Sequence, residues 1–117
     1  KKNIIPTEKP YFNILLGSLG TSPLEPSSFA AFHSLLPEGS IWAGAGIGSF
    51  QLDGNIMALT FGGHIRVGLE DNLYFDREKK VPASNERLIE RLVSIITKMD
   101  LEIAGPKETR EMLGFKQ

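Results

Sequence analysis

The sequence contains no cysteine in its 117 residues, which excludes disulfide frameworks and thiolate metal sites and fits a reducing cytoplasm, the expected location. Histidine is scarce as well. His33 and His64 are the only two, far apart and in no metal-ligand spacing. An excess of charge of one sign is lacking: 13 Lys and Arg against 14 Asp and Glu leave a formal net charge of −1. That balance argues against a nucleic acid or an anionic membrane as the main partner. No apolar run approaches the ~18 residues of a membrane-spanning helix. The Lys1-Lys2-Asn3 start has no apolar segment of the kind a signal peptide needs. An initiating Met is missing too, so the chain is expected to be processed, tagged or part of something longer.

What is present describes an ordinary soluble domain, with 41% apolar and 23% charged residues. At 117 residues it is one domain's worth of chain at most. Residues 1–10 carry Pro6 and Pro10 and read as a leading loop. Tyr11 to Leu16 is a short apolar run closed by Gly17, as expected of a strand buried on both faces. A Gly/Ser/Thr-rich loop follows to Pro23. Pro26 suits the first turn of a helix whose stripe is Phe29, Phe32 and Leu36, stopped by Pro37 and Gly39. His33 lies between Phe32 and Leu36 and reads as a surface residue.

Ile41 to Ile47 is a second strand, in which Gly44 and Gly46, with Gly48 beyond, allow close approach of backbone or ligand. Trp42 reads as a core residue. Leu52, Ile56 and Leu59 then define the apolar stripe of a short helix, weakened by Gly54 by about 1 kcal/mol relative to Ala. After a third strand, Asp76 to Lys80 is a charge run at a solvated loop tip. Ser84 is the expected N-cap of the chain's strongest stripe, Leu88, Ile89, Leu92, Ile95, Ile96 and Met99, with Glu86 in the first turn. Pro106 opens a last short helix and Gly114 ends it. Three strands alternating with helices, then a fourth helix, imply an α/β chain with a parallel sheet.

The third strand carries the chemistry. Gly62 to Asn72 reads Gly-Gly-His-Ile-Arg-Val-Gly-Leu-Glu-Asp-Asn. At period two, Ile65, Val67 and Leu69 point to one face and His64, Arg66, Gly68 and Glu70 to the other. Side-chain layers roughly 6–7 Å apart let Arg66 reach Glu70 or Asp71. His64, at the start of the strand, reads as a packing or hydrogen-bonding residue. If the charged face met solvent, the pattern would be a plain half-buried strand. If it lined a barrel, its charges would need pairing or a metal.

That string resembles the signature of the β-keto acid cleavage enzymes. The likeness extends upstream through LLGSLG, LPEGSIWAGAGIG and FQL, and downstream through LYF, ASNERLIERLV and AGPKETREMLGF. It implies that residues 1–117 are a single segment, the C-terminal part of a TIM (β/α)8 barrel. Such barrels typically need roughly 250 residues. The units here would match the sixth, seventh and eighth strands, with the N-terminal strands absent. The resemblance also implies that Glu70 is a ligand of a divalent metal, usually zinc, acting as a Lewis acid on the keto acid's oxygens. Arg66 and Asp71 would form the catalytic pair, Asp71 as base and Arg66 orienting it. The implied reaction condenses a β-keto acid with acetyl-coenzyme A and cleaves a carbon–carbon bond, giving acetoacetate and a new coenzyme A ester. The family's His-x-His pair is not in this sequence, so the metal site would have to be completed from outside it. Relatives usually place a glycine in the turn after Asn72; here Leu73 to Ala83 has none.

The loop Gly46-Ile47-Gly48-Ser49, before a helix N-terminus, can cradle a phosphate of coenzyme A. Equally, a tight strand-to-helix turn simply wants glycine. Three functions remain open: part of a metal-dependent cleavage enzyme, a non-catalytic half-barrel serving assembly, or another phosphate-binding barrel enzyme needing no metal. Open strand edges imply a homo-oligomer or a complement by the missing N-terminal half.

Overall fold

The computed structural model describes residues 9–115. The leading loop expected over residues 1–8 lies outside them. Strand β1 (Tyr11–Leu16) is followed by helix α1 (Pro26–Leu35) and strand β2 (Ile41–Gly46). A single 3-10 turn over Gly48–Phe50 runs into helix α2 (Gln51–Thr60), and strand β3 (His64–Ile65) follows. Helices α3 (Asn85–Lys98) and α4 (Pro106–Met112) complete the order. The sheet is parallel in the order β1-β2-β3. The α/β class and the alternation of strand and helix are as expected. Among the described residues, no helix is long and apolar enough to cross a membrane.

Ile14, Leu16, Phe29, Trp42 and Ala58 form the core, with Phe12, Leu24, Leu36, Met57 and Ile65 packed against it. Strand β1 is buried on one face, not two, because Tyr11 and Asn13 stand exposed. Helix α1 starts on Pro26 as expected, but its inner stripe is Phe29, His33 and Leu36, and Phe32 faces out. His33 is therefore no surface residue. Its ring lies 5.1 Å from that of Trp42 and 6.0 Å from that of Phe61. Both spacings span the same arc of a helix, so apolar period alone does not choose between them, and packing on Trp42 and Phe61 selects the His33 side. Trp42 is buried in the core as expected.

Helix α2 exists where the spacing predicts it, but it turns a different face inward. Gln51, Gly54, Asn55 and Ala58 are buried, while Leu52, Ile56 and Leu59 are only partly so. The reason is closeness. A Cβ on Gly54 would stand 2.5 Å from the Gly46 nitrogen, and one on Gly44 would stand 2.6 Å from the Ala58 Cβ. Only small residues let this helix lie on β2. Gly54, which weakens an isolated helix, is what allows this one to dock.

The third strand is shorter than the period-two pattern implies. Only His64 and Ile65 pair with β2, opposite Ala43 and Gly44. The Arg66 N–H still donates to the Gly44 carbonyl at 3.1 Å, and then the chain turns. The N–H groups of Asp71 and Asn72 both reach back to the Gly68 carbonyl, at 3.2 and 3.3 Å. Alternation therefore stops at Arg66: Ile65 packs on the core, whereas Leu69 and Glu70 belong to a turn and have no strand face. The turn forms because side chains of α2 satisfy the carbonyls that a longer strand would have offered to a neighbour. The His64 side chain is exposed and makes no hydrogen bond among the described residues; it lines a cavity with Tyr11, Ile41 and Thr109 and is not packed in the core.

Helix α3 is capped by Ser84, whose hydroxyl accepts the Arg87 N–H at 3.3 Å, with Glu86 in the first turn. Leu88, Leu92 and Ile96 are its buried stripe; Ile89 and Met99 are exposed, so the stripe is narrower than the sequence suggests. Helix α4 begins on Pro106, and Gly114 ends it with φ +76°.

Candidate active site

The turn from Arg66 to Asp71 gathers the charged residues of the third strand at its C-terminal end. One guanidinium nitrogen of Arg66, Nη2, stands 3.0 Å from Asp71 Oδ1 and 3.3 Å from Glu70 Oε2. The two carboxylates differ in setting. The side chain of Asp71 is 4% exposed and that of Glu70 is 86% exposed. A buried carboxylate without a partner is costly, so Arg66 is the residue that makes Asp71 tolerable there. Glu70 needs no such help and extends into open space, where its second oxygen is available to a cation. Arg66 is therefore common to both acids, and the spacing brings all three predicted residues together.

The backbone of the turn is fastened at both ends and in the middle, at Arg66, Gly68, Leu69 and Asp71. Gln51 Nε2 donates to the Gly68 carbonyl at 2.9 Å. Asn55 Nδ2 donates to the Arg66 carbonyl at 2.7 Å and to the Gly44 carbonyl at 3.1 Å. Asn85, the first residue of α3, accepts the Leu69 N–H on its Oδ1 at 3.0 Å. The Gly48 N–H donates to the Asp71 carbonyl at 2.7 Å. The sequence reading missed Gln51, Asn55 and Asn85. A signal existed for two of them: residues 51, 54, 55 and 58 follow helical spacing and combine two amides with two small residues, a stripe that apolar counting passes over.

The glycine loop lies directly beside this turn. A Cβ on Gly46 would collide with the Phe50 carbonyl oxygen, so the turn into α2 itself requires glycine there. Gly48 has φ +62°, a left-handed conformation that favours glycine. Its N–H is already engaged by Asp71. The Ser49 hydroxyl makes no hydrogen bond among the described residues.

No group of three or more His, Asp or Glu among the described residues could hold a metal ion. Glu70 can offer one ligand. The residues present therefore do not fit a complete metal centre, and His33 and His64 do not supply the rest.

The description "beta-keto acid cleavage enzyme" belongs to a family model that matches residues 1–115. The chain is similar to the 3-keto-5-aminohexanoate cleavage enzyme of Fusobacterium nucleatum, at 43% identity over 70% of this chain and 30% of that protein. A protein of the same name from Acetoanaerobium sticklandii is 36% identical over 92% of this chain and 39% of its own length. The 3-oxoadipate:acetyl-CoA acetyltransferase of Cupriavidus necator is 31% identical over 90% of the chain and 38% of its length. The chain thus spans well under half the length of these relatives. With the match running almost end to end along its own residues, the chain belongs to the beta-keto acid cleavage enzyme family.

Proposed function

We propose that this chain forms the C-terminal part of a (β/α)8 barrel, as a single segment, and supplies the catalytic pair of an enzyme acting on a β-keto acid with acetyl-coenzyme A. The products are acetoacetate and a new coenzyme A ester. The observation that carries this reading is the contact of one Arg66 nitrogen with both Asp71 and Glu70, at 3.0 and 3.3 Å. The names of the relatives support the reaction class: two are cleavage enzymes for a keto acid and one transfers between 3-oxoadipate and acetyl-CoA.

In this reading Asp71 accepts a proton from the bound keto acid. Arg66 holds the Asp71 carboxylate by one oxygen and leaves the other to the substrate. The planar guanidinium can face two acids at once, which a lysine ammonium does less well. Glu70, exposed beside them, is one ligand of a divalent metal, zinc, whose remaining ligands come from outside these residues. In the glycine loop, Gly46 and Gly48 shape the backbone and Ser49 meets the coenzyme. A cytoplasmic location and assembly into a homo-oligomer, or with a separate N-terminal half, belong to the same proposal.

The test measures metal content by elemental analysis beside acetoacetate formation, in the complete enzyme. Glu70→Gln keeps the shape and removes the charge, so metal and turnover are lost together. Asp71→Asn keeps the metal and loses turnover. Arg66→Lys keeps the metal and lowers turnover. Full metal and full turnover in Glu70→Gln would overturn the ligand assignment. Ser49→Ala raises the KM for acetyl-coenzyme A severalfold; an unchanged KM would remove the loop from the coenzyme site.

A further inference from the structure

Gln51 and Asn55 lie one turn apart on α2, and both side chains are buried, at 0% and 1% exposure. Their amide nitrogens are directed at three backbone carbonyls: Gly68 from Gln51, and Arg66 and Gly44 from Asn55. Two of those carbonyls bracket the segment that carries Arg66 into the turn. The third belongs to β2 and also accepts the Arg66 N–H. Asn55 therefore ties the last residue of β2 that pairs with β3 to the first residue of the turn. Gln51 fixes the place where the turn folds back, since the Gly68 carbonyl also receives the N–H groups of Asp71 and Asn72.

This is not the arrangement that packing alone would choose. The amide oxygens Gln51 Oε1 and Asn55 Oδ1 are buried and have no partner among the described residues. Burying polar atoms without partners is unfavourable, and an aliphatic helix face would avoid it. What aliphatic side chains cannot do is donate to the carbonyls of Arg66 and Gly68. We propose that Gln51 and Asn55 are positioning residues, which set the Arg66–Asp71 pair through the backbone carbonyls of Arg66 and Gly68. The proposal rests on the reading of Arg66 and Asp71 as the catalytic pair.

The experiment uses the complete enzyme with Gln51→Glu and Asn55→Asp, near-isosteric changes that replace a donor by a carboxylate facing carbonyl oxygens. Gln51→Met, which keeps the volume and removes the donor, serves where a new buried charge prevents folding. Asp53→Asn on the same helix is the control, because Asp53 bonds Arg77 and no group of the turn. Amide hydrogen exchange is expected to rise at least tenfold at Arg66, Leu69 and Asp71 in the test variants, with Leu88, Leu92 and Ile96 unchanged. The kcat should fall at least tenfold with the KM for acetyl-coenzyme A within twofold. Combined with Arg66→Lys, the loss should be clearly smaller than the product of the single losses, as for residues acting through one another. Unaltered exchange at the turn in folded variants would overturn the proposal, and so would losses that multiply in full. If the parent enzyme shows no cleavage activity, the reaction assigned above fails, and exchange at the turn alone decides whether these amides hold it.

Discussion

Asp76 shows how a single side chain shapes a loop in which glycine is missing. Its carboxylate accepts the N–H of Lys80 at 3.0 Å and that of Val81 at 2.7 Å. Hydrogen bonding from the backbone, Val81 foremost, holds this carboxyl below its ordinary value of 3.8. A lowered acid stabilises the loop above that ordinary value, and the stabilisation is lost as pH falls through the lowered one. Protection of the Lys80 and Val81 amides should therefore persist below pH 3.8 and be lost only as pH falls through the lowered value; exchange measured by NMR across the acid range checks this, and loss of protection already above pH 3.8 would contradict it. Next to it, Lys79 sits at φ +59°, the left-handed conformation that glycine adopts readily. Lys79→Gly should stabilise the protein by about 1 kcal/mol, with relief of strain partly offset by the greater freedom of the unfolded chain. A thermal melt showing no gain or a loss would refute that. The absence of glycine between Leu73 and Ala83 was plain in the sequence, but which residue would take the left-handed place was not. That choice depends on where the Asp76 carboxylate folds the chain.

Among the elements, the contact between α2 and β2 is the most demanding. Gly54→Ala improves intrinsic helix propensity by about 1 kcal/mol, yet the added methyl meets the backbone of Gly46. Backbone cannot swing aside as a side chain can, so a net destabilisation of about 1–3 kcal/mol is expected in denaturant unfolding. Helix ends were legible from local chemistry: Pro26, Ser84, Pro106 and Gly114 all mark boundaries where the sequence places them. The inward face of α2 and the end of β3 were not, for one shared reason. Reading by apolar period assumes that buried means apolar, whereas Gln51 and Asn55 are buried because backbone carbonyls await them. The same two amides replace the strand partner and let the chain turn early. The proximity of Arg66 to Glu70 and Asp71 was nonetheless foreseeable, because a long side chain spans either a strand or a turn. Helix α3 holds the loop that precedes it in another way. The guanidinium carbons of Arg87 and Arg91 both lie 4.3 Å from the centre of the Phe75 ring, and Arg91 also donates to the Phe75 carbonyl at 2.8 Å.

At the scale of the molecule, a sheet ordered β1-β2-β3 leaves β1 and β3 each with one side unpaired among the described residues. Tyr11, Asn13 and His64 are exposed, and Tyr11 and His64 line one cavity with Thr109 and Met112 of α4. Unpaired edges recruit other strands. The 117-residue chain by itself should therefore associate, and sedimentation velocity should show mass rising with concentration. A monodisperse monomer with a cooperative melt would contradict this. The isolated chain should also bind zinc weakly or not at all in calorimetric titration, because no group of three or more His, Asp or Glu that could hold a metal forms among the described residues.

The 2.7 Å bond from the Gly48 N–H to the Asp71 carbonyl makes the glycine loop and Asp71 a single mechanical unit. Whatever grips the loop also stiffens Asp71, and whatever orders Asp71 prepares the loop. Thermodynamic linkage requires those two effects to be equal in size. Under the proposed function, the keto acid and the coenzyme should consequently sense one another without touching. Prior binding of the keto acid should tighten the coenzyme, and the coenzyme should tighten the keto acid by the same factor.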